Sequence, residues 1–324
     1  MMRTHATPGA EPDSDLGGLA PSDAAVDVLD LTCRYGSFTA VEGVSFAVAP
    51  GELFALLGTN GAGKTTTIET LQGLRRPASG RARVLGRDPW RHRRAQAGQV
   101  SVIGQETGFA EDLTVTETVR LWTELHRLAP DEGVGGLIDR VGLAHRSGTR
   151  VVALSGGERR RLDLALAIGT RPRVLFADEP TTGLDPKSRR GTWAILRELT
   201  AGGTTVLLTT HYLDEAAELA DHVAIMDKGR IVRFGTVEEV VASHGALITA
   251  RLDEAIDARD LPALAGEIRC AAGELRVRTP ELQADLHRLL TWADWRQITL
   301  GGLKAAPATL DEIFAELEDD KDRR

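Results

Sequence analysis

The sequence predicts an α/β protein with a parallel β-sheet, followed by a small α+β unit. Between residues 26 and 235, short apolar or alternating runs typical of strands interleave with helical patterns. A glycine-rich loop at residues 58–66 joins one apolar run to a helical pattern, which is the order expected at the edge of such a sheet. After Gly235 the pattern changes to strand-like runs with a helix among them, and this change indicates a separate unit.

The N-terminal segment has the composition of a disordered tail. Residues 1–24 are rich in Ala, Pro, Asp, Ser and Gly and show no periodicity. Alternation begins at residues 26–32 and returns at residues 44–49, which predicts two strands. We therefore assign residues 1–24 to a tail and residues 25–235 to the main domain.

The glycine-rich loop has the pattern G-x-x-x-x-G-K-[ST] and follows the apolar run at residues 53–57. Its glycines let backbone N–H groups close around phosphate oxygens, and the helix beginning near Gly63 directs its N-terminal dipole at the same anion. We predict that Lys64 bridges the β- and γ-phosphates and that the Thr65 hydroxyl binds Mg²⁺. The predicted nucleotide-binding residues of the loop are Gly58, Thr59, Asn60, Gly61, Ala62, Gly63, Lys64, Thr65 and Thr66.

Two adjacent carboxylates end a second apolar strand at residues 173–179, and Asp178 lies 114 residues after Lys64. We predict that Asp178 holds Mg²⁺, which prefers carboxylate and water oxygens. Glu179 is one residue further along, on the other side of the strand end, and is the candidate general base for the attacking water.

Residues 155–157 form a second candidate anion site. Ser155, Gly156 and Gly157 directly precede a helical pattern at residues 158–168, so a helix N-terminus again faces an anion. Because the first loop already occupies one side of the nucleotide, this site most naturally meets the γ-phosphate of ATP bound to another subunit. The alternative is an ordinary helix start, since Ser155 suits an N-cap.

These motifs, in this order and spacing, resemble the ATPases of ABC transporters over roughly residues 25–235. The resemblance implies a P-loop core with antiparallel β and helical subdomains, and a head-to-tail homodimer with two ATP molecules at its interface. It implies that Gln105 contacts Mg²⁺ or the attacking water and that Asp185 belongs to the D-loop at the nucleotide. It also implies that His211 is the switch histidine near the γ-phosphate and that Tyr35 stacks on adenine.

The helical subdomain is expected between Gln105 and Ser155. Residues 113–126 open with a capping pattern and continue with helical spacing. In the family, the face of this subdomain near Gln105 and Glu106 receives a short coupling helix from the permease.

The remaining residues, 236–324, are predicted to form an α+β accessory domain. Strand-like runs lie at residues 246–252, 274–278 and 297–300, with a helical pattern at residues 281–290. Thr309 and Glu312 form a capping box, and the helix after it carries one apolar face, which we interpret as docking on its own domain. That face consists of Leu310, Ile313, Phe314 and Leu317.

The C-terminal helix also resembles the C-terminal extension of the daunorubicin/doxorubicin-resistance-type exporter ATPases, as do residues 155–165 and 178–186. This resemblance implies a homodimeric ATPase beneath a separately encoded integral-membrane permease, at the cytoplasmic face of the membrane, powering efflux of a drug, antibiotic or lipid-like substrate. ATP would close the dimer, and hydrolysis would reopen it.

Composition and motif spacing reduce the number of protein classes to which the chain could belong. The net charge of −8 provides no overall field that favours nucleic acid, and two cysteines give no disulfide framework. No apolar stretch reaches the ~18 residues of a membrane span, so we expect the pore in another chain. Lys64 and Ser155 are 91 residues apart, too close for the long insertion of DNA-associated ABC ATPases, and one copy of each motif does not fit ribosome-associated factors. An importer ATPase remains the other transport alternative.

Overall fold

The computed structural model describes residues 23–104, 108–128, 133–252, 256, 258–271 and 273–314. Residues 1–22 of the tail predicted over residues 1–24 therefore lie outside the described residues, as does Gln105, whereas Ala24 is described and buried. The strands are β1 (Val26–Tyr35), β2 (Phe38–Val48), β3 (Leu53–Gly58), β4 (Ser79–Val84), β5 (Val100–Ile103), β6 (Val174–Asp178), β7 (Thr205–Thr210), β8 (His222–Asp227), β9 (Arg230–Gly235), β10 (Ala246–Arg251), β11 (Glu267–Ala271), β12 (Glu274–Thr279) and β13 (Gly301–Pro307). The α-helices are α1 (Lys64–Leu71), α2 (Pro89–Gln96), α3 (Val115–Leu125), α4 (Gly133–Arg140), α5 (Gly156–Gly169), α6 (Pro186–Ala201), α7 (Leu213–Leu219), α8 (Val237–Ser243) and α9 (Leu282–Arg296).

A central sheet carries the two predicted nucleotide-binding strands. Its order is β5-β6-β7-β3-β8-β9, and all neighbours are parallel except β8 and β9. Every residue of β3, β6 and β7 is buried, as expected for strands covered on both faces. Because β7 lies between β3 and β6, the carboxyl ends of these strands meet at one edge of the sheet.

A smaller antiparallel sheet packs against one face of the central sheet. Its order is β2-β1-β4, and its inward side chains form one apolar cluster with side chains of β3, β6 and β7. Phe46 of β2 stacks on Phe54 of β3, with the ring centroids 5.0 Å apart. This cluster fixes the strand that leads into the glycine-rich loop.

The helical subdomain consists of α3, α4 and the first part of α5. The predicted capping pattern is confirmed, because the Thr114 hydroxyl accepts from the Glu117 backbone and Glu117 accepts from the Thr114 backbone. Val119, Leu137 and Leu162 are buried together in a cluster that continues under β6 and β7. Helix α5 thereby connects this subdomain to the central sheet.

A third sheet, of order β11-β12-β10-β13, carries α9 on one face. The helix prediction at residues 281–290 is correct in place but too short, and the predicted strand at residues 297–300 is wrong. Helix α9 runs to Arg296, Gln297 then takes a left-handed conformation with φ +56°, and the strand starts at Gly301. Strand β11 was not predicted.

The C-terminal helical turn docks on the central sheet and not on the third sheet, which corrects our interpretation of it. The capping box between Thr309 and Glu312 is confirmed. Leu310, Ile313 and Phe314 pack into one cluster with core residues of β3, β8 and α7, and α8 joins the same cluster. The apolar face of the C-terminal helical turn packs against apolar side chains of the central sheet, because the corresponding face of the third sheet is covered by α9. Leu317 lies outside the described residues.

Candidate nucleotide site

The loop after β3 is built on two glycines that tolerate no side chain. A Cβ at Gly58 would lie 2.6 Å from the Met226 carbonyl oxygen, and one at Gly63 would lie 2.5 Å from that of Ala40. Gly63 also has φ +104°. Close backbone packing therefore demands glycine here, in addition to any contact with phosphate.

Lys64 begins α1 and folds over this loop. Its ammonium donates to the carbonyl oxygens of Gly58 at 2.6 Å and Thr59 at 3.2 Å. Thr65 is exposed in the first turn of α1, whereas the Ala62 side chain packs into the core. Asn60 and Gly61 are exposed at the tip of the loop.

Tyr35, the predicted adenine platform, lies beside the loop. Its hydroxyl is 3.2 Å from the Thr66 hydroxyl, and the Arg75 guanidinium lies 4.0 Å from the centroid of its ring. Arg75 is held by Glu69 at 3.1 Å. The aromatic ring is thus fixed next to α1 by a hydrogen bond and a cation–π contact.

Asp178 and Glu179 leave the end of β6 in different environments. Asp178 is buried and accepts a short hydrogen bond from the Thr209 hydroxyl of the neighbouring strand. The Glu179 backbone N–H donates to the Thr209 carbonyl at 3.0 Å, and Glu179 has φ +49°, a left-handed conformation that is uncommon for a residue other than glycine. The two carboxylates therefore have different contacts at the end of β6, Thr209 for Asp178 and His211 and Thr182 for Glu179.

The Glu179 carboxylate is oriented from both sides. Its Oε1 lies 3.3 Å from His211 Nδ1, and its Oε2 accepts from the Thr182 hydroxyl at 3.1 Å. The His211 side chain is 39% exposed and that of Glu179 is 16% exposed. The structure therefore brings the predicted base and the predicted switch histidine into direct contact at the mouth of the site.

Sequence reasoning missed a buried carboxyl behind this pair. Glu215 of α7 accepts from the Thr181 hydroxyl and from the Trp193 indole, both at 2.9 Å. Burial raises the pKa of Glu215, and its hydrogen bonds oppose the rise. Glu215 thus ties the loop that follows Glu179 to the segment that follows His211. The sequence does contain a signal for Glu215, because this residue lies four positions after His211 and on the apolar face of a helix.

Ser155 starts α5 as an N-cap and still presents that helix terminus to solvent. Its hydroxyl accepts from the Glu158 backbone at 3.3 Å, and Glu158 accepts from the Ser155 backbone at 2.9 Å. This backbone hydrogen bond is the main reason that the pKa of Glu158 falls to about 2, with Arg146 assisting at 2.8 Å. Gly156 is exposed and Gly157 is half-buried. The cap and the anion site are therefore compatible.

Asp185 acts as the N-cap of α6 in the structure. Its carboxylate accepts from the backbones of Lys187 at 3.0 Å and Ser188 at 3.1 Å, and from the Ser188 hydroxyl at 2.6 Å. These hydrogen bonds lower the pKa of Asp185. A contact of Asp185 with nucleotide stays a prediction.

Comparison with known proteins decides the family. The ABC transporter family matches residues 41–182. The daunorubicin resistance ATP-binding protein DrrA3 of Streptomyces coeruleorubidus is 37% identical over 320 residues, which cover 94% of this chain and 98% of that protein. The chain belongs to the ABC transporter ATP-binding proteins. It is accordingly an ATP-binding, ATP-hydrolysing subunit of a transporter, as the motifs predicted.

Other relatives support this assignment. The daunorubicin/doxorubicin resistance ATP-binding protein DrrA of Streptomyces peucetius is 43% identical over 71% of each chain. The Nod factor export ATP-binding protein I of Paraburkholderia xenovorans (strain LB400) is 40% identical over 68% of this chain and 74% of that one. Residues 246–309 match a C-terminal domain described as ABC transporter domain-containing protein-like.

Solved structures confirm the fold. The ATP-binding subunit of an ABC transporter is 29% identical with a TM-score of 0.61, over 66% of this chain and 91% of that chain. The cbiO1 protein of Clostridium perfringens, part of the ABC transporter complex cbiONQ, is 27% identical with a TM-score of 0.60, over 68% of this chain and 91% of that chain. The α/β core with its antiparallel sheet is therefore the fold of this family.

Proposed function

We propose that this chain powers an exporter that expels a drug, antibiotic or lipid-like molecule through a separately encoded permease. In this proposal the chain lies at the cytoplasmic face of the membrane, bound to the permease. The observation that carries the export direction is similarity to a daunorubicin resistance protein over nearly the whole length of both chains, the C-terminal region included. In the described part of the chain, no helix combines the length and apolarity needed to cross a membrane.

The site residues fit Mg²⁺ as the partner of ATP. Thr65 and Asp178 supply a hydroxyl and a carboxylate, the oxygen ligands that Mg²⁺ takes in proteins. The described residues contain no cluster of three or more His, Cys, Asp or Glu side chains suited to a metal, so phosphate and water oxygens would complete the shell. Bound Mg²⁺ would neutralise phosphate charge during hydrolysis.

Hydrolysis in this proposal depends on Glu179. The carboxylate takes a proton from the water that attacks the γ-phosphorus, while the bond to the bridging oxygen breaks and ADP leaves. His211, 3.3 Å from this carboxylate, orients it and faces the γ-phosphate. Lys64 and the amides of its loop hold the phosphates, and Tyr35 supports the adenine.

Two copies of the chain are expected to enclose two ATP molecules. The exposed N-terminus of α5, at Ser155 and Gly156, offers backbone N–H groups to the γ-phosphate held by the other copy. Dimer closure would complete each site, and after hydrolysis the release of phosphate would remove the charge that holds the copies together.

A groove between the central sheet and the helical subdomain suits a short helix of the permease. It has a volume of about 400 Å³ and lies beside β5, the strand that leads toward residue 105. Leu74 and Val102 contribute exposed apolar surface, and Trp122 of α3 and His126, the residue after α3, also line the groove.

The proposal is tested by trapping the complex. A tagged Glu179→Gln chain is incubated with ATP and Mg²⁺ and recovered from solubilised membranes of its host, with a Lys64→Ala chain as the control. We expect a polytopic membrane protein to co-purify with the first chain, without a substrate-binding protein. Recovery of a substrate-binding protein would favour import, and recovery of ribosomal or DNA-associated proteins would refute the transport function.

A further inference from the structure

Arg160 is a buried arginine in the second turn of α5, the helix that begins at Ser155. It is 9% exposed, and its guanidinium donates to four backbone carbonyl groups. Nη2 donates to Asp178 at 2.7 Å and to Glu179 at 2.6 Å, and Nε donates to Pro180 at 2.9 Å. Nη1 makes a short hydrogen bond to Gly104.

Three of these carbonyl groups are consecutive and belong to the turn that holds the proposed base. Glu179 occupies this turn with φ +49°, a conformation that an L-residue adopts only when its surroundings fix it. A planar guanidinium carries five N–H donors in a fixed fork and reaches four carbonyl groups here, whereas an ammonium has three donors around a single nitrogen. The Arg160 side chain therefore holds the carbonyl groups of this turn, while Thr209 holds the Glu179 N–H.

The fourth carbonyl group joins a further segment to the same side chain. Gly104 directly precedes position 105, where the family motif places its glutamine. Burial lowers the pKa of Arg160, while the carboxylates of Asp163, Asp178 and Glu179 oppose this shift. The guanidinium is thus withdrawn from water and depends on these hydrogen bonds for compensation.

We propose that Arg160 is a positioning residue that holds Glu179 in its hydrolytic orientation and ties that orientation to the helix beginning at Ser155. The inference rests on the role of Glu179 proposed above. When a second copy presses ATP against the start of α5, movement of that helix is transmitted through Arg160 to the base and to residue 104.

The alternative is an arginine that contributes to stability alone. The two roles differ in what Arg160→Lys changes, because lysine keeps the positive charge but not the fork of donors. A positioning role predicts a fall in kcat of about 10²-fold with the KM for ATP changed less than about threefold, since a small displacement of a base slows chemistry and not binding. A purely stabilising role predicts a lower thermal midpoint and an unchanged kcat per folded molecule.

The experiment compares purified full-length wild type, Arg160→Lys, Arg160→Gln and the control Arg159→Lys. Arg159 directly precedes Arg160 on α5, contacts Glu111 and the Val152 carbonyl on the surface, and makes no hydrogen bond to the β6 turn within the described residues. We expect it to retain wild-type kcat. Thermal midpoints and fluorescent-nucleotide binding normalise each rate to folded protein.

A double-mutant cycle links the effect to the base. In a Glu179→Gln background, single-turnover hydrolysis is expected to change less than about threefold on adding Arg160→Lys, because the group that Arg160 positions is already gone. Equal losses in both backgrounds would overturn the proposal, as would an unchanged kcat in Arg160→Lys or failure of both Arg160 variants to fold. Near-normal hydrolysis by Glu179→Gln alone would instead overturn the assigned base, and with it the proposed function.

Discussion

Replacement of Asp163 by asparagine is predicted to make the stability of the protein less dependent on pH. Asp163 lies on α5 one turn after Arg160, with a side chain that is 17% exposed. Its Oδ2 is buried and has no hydrogen-bond partner among the described residues, and Arg160 is 3.8 Å away. Burial raises the pKa of Asp163 from 3.8 to about 7, and Arg160 offsets only part of the rise.

The sign and size of this pH dependence follow from the linkage between proton binding and folding. The folded state binds this proton more tightly than the unfolded state, so the stabilisation is complete below the unfolded pKa of 3.8 and is lost as pH rises through about 7. Between about pH 5 and about pH 8, the folded state should lose about 2–3 kcal/mol of unfolding free energy from this group alone. Asparagine cannot ionise, so the variant should lack this loss.

Urea denaturation at a series of pH values measures the effect. The difference between Asp163→Asn and wild type should move in favour of the variant as pH rises, by about 2 kcal/mol over the range. Asp139→Asn is a matched control, because Asp139 is exposed in the same subdomain. Parallel pH profiles for Asp163→Asn and wild type would refute the reasoning.

Three further predictions concern the loop, the α5 cap and the C-terminal helix. Lys64→Ala should weaken ATP binding at least about tenfold in a fluorescence titration, because the ammonium that crosses the loop is lost; unchanged affinity would count against the loop assignment. Glu158→Gln should cost about 1–2 kcal/mol at neutral pH in urea denaturation. Since the pKa of Glu158 falls from 4.5 to about 2, this stabilisation should fade as pH falls below 4.5, and a constant difference would contradict it. Phe314→Ala should lower the unfolding free energy by about 3 kcal/mol, because the ring is buried against the central sheet. Trp295→Ala, at an exposed position, is its control, and equal effects would contradict the docking.

The parts of the fold that the sequence predicted are those with strong local patterns. The apolar runs before Gly58 and Glu179 form buried strands, and the capping patterns at Thr114 and Thr309 form as predicted. In each case a short stretch of chain contains its own signal, such as a continuous apolar run or a hydroxyl followed three residues later by a glutamate.

The parts that the sequence missed depend on distant packing. Strand β13 has a Gly-Gly start and two alanines, a composition with weak strand preference, and its partner β10 supplies the pairing. Docking of Phe314 on the central sheet depends on an apolar surface that forms only after folding.

Arg160 was not distinguishable within the run of three arginines at residues 159–161. Its neighbours Arg159 and Arg161 reach surface carbonyl groups, at Val152 and Gly142. Only the position of α5 against the end of β6 turns the middle arginine inward.

In the proposed mechanism, Glu179 activates the attacking water, and the site does not need this carboxylate in order to bind ATP. The most direct test measures ATP affinity and steady-state hydrolysis for wild type and Glu179→Gln in the same preparation. We predict an affinity within about threefold of wild type and a turnover reduced at least about 10²-fold, because the phosphate cradle remains while the base is gone. Turnover close to that of wild type would contradict the account.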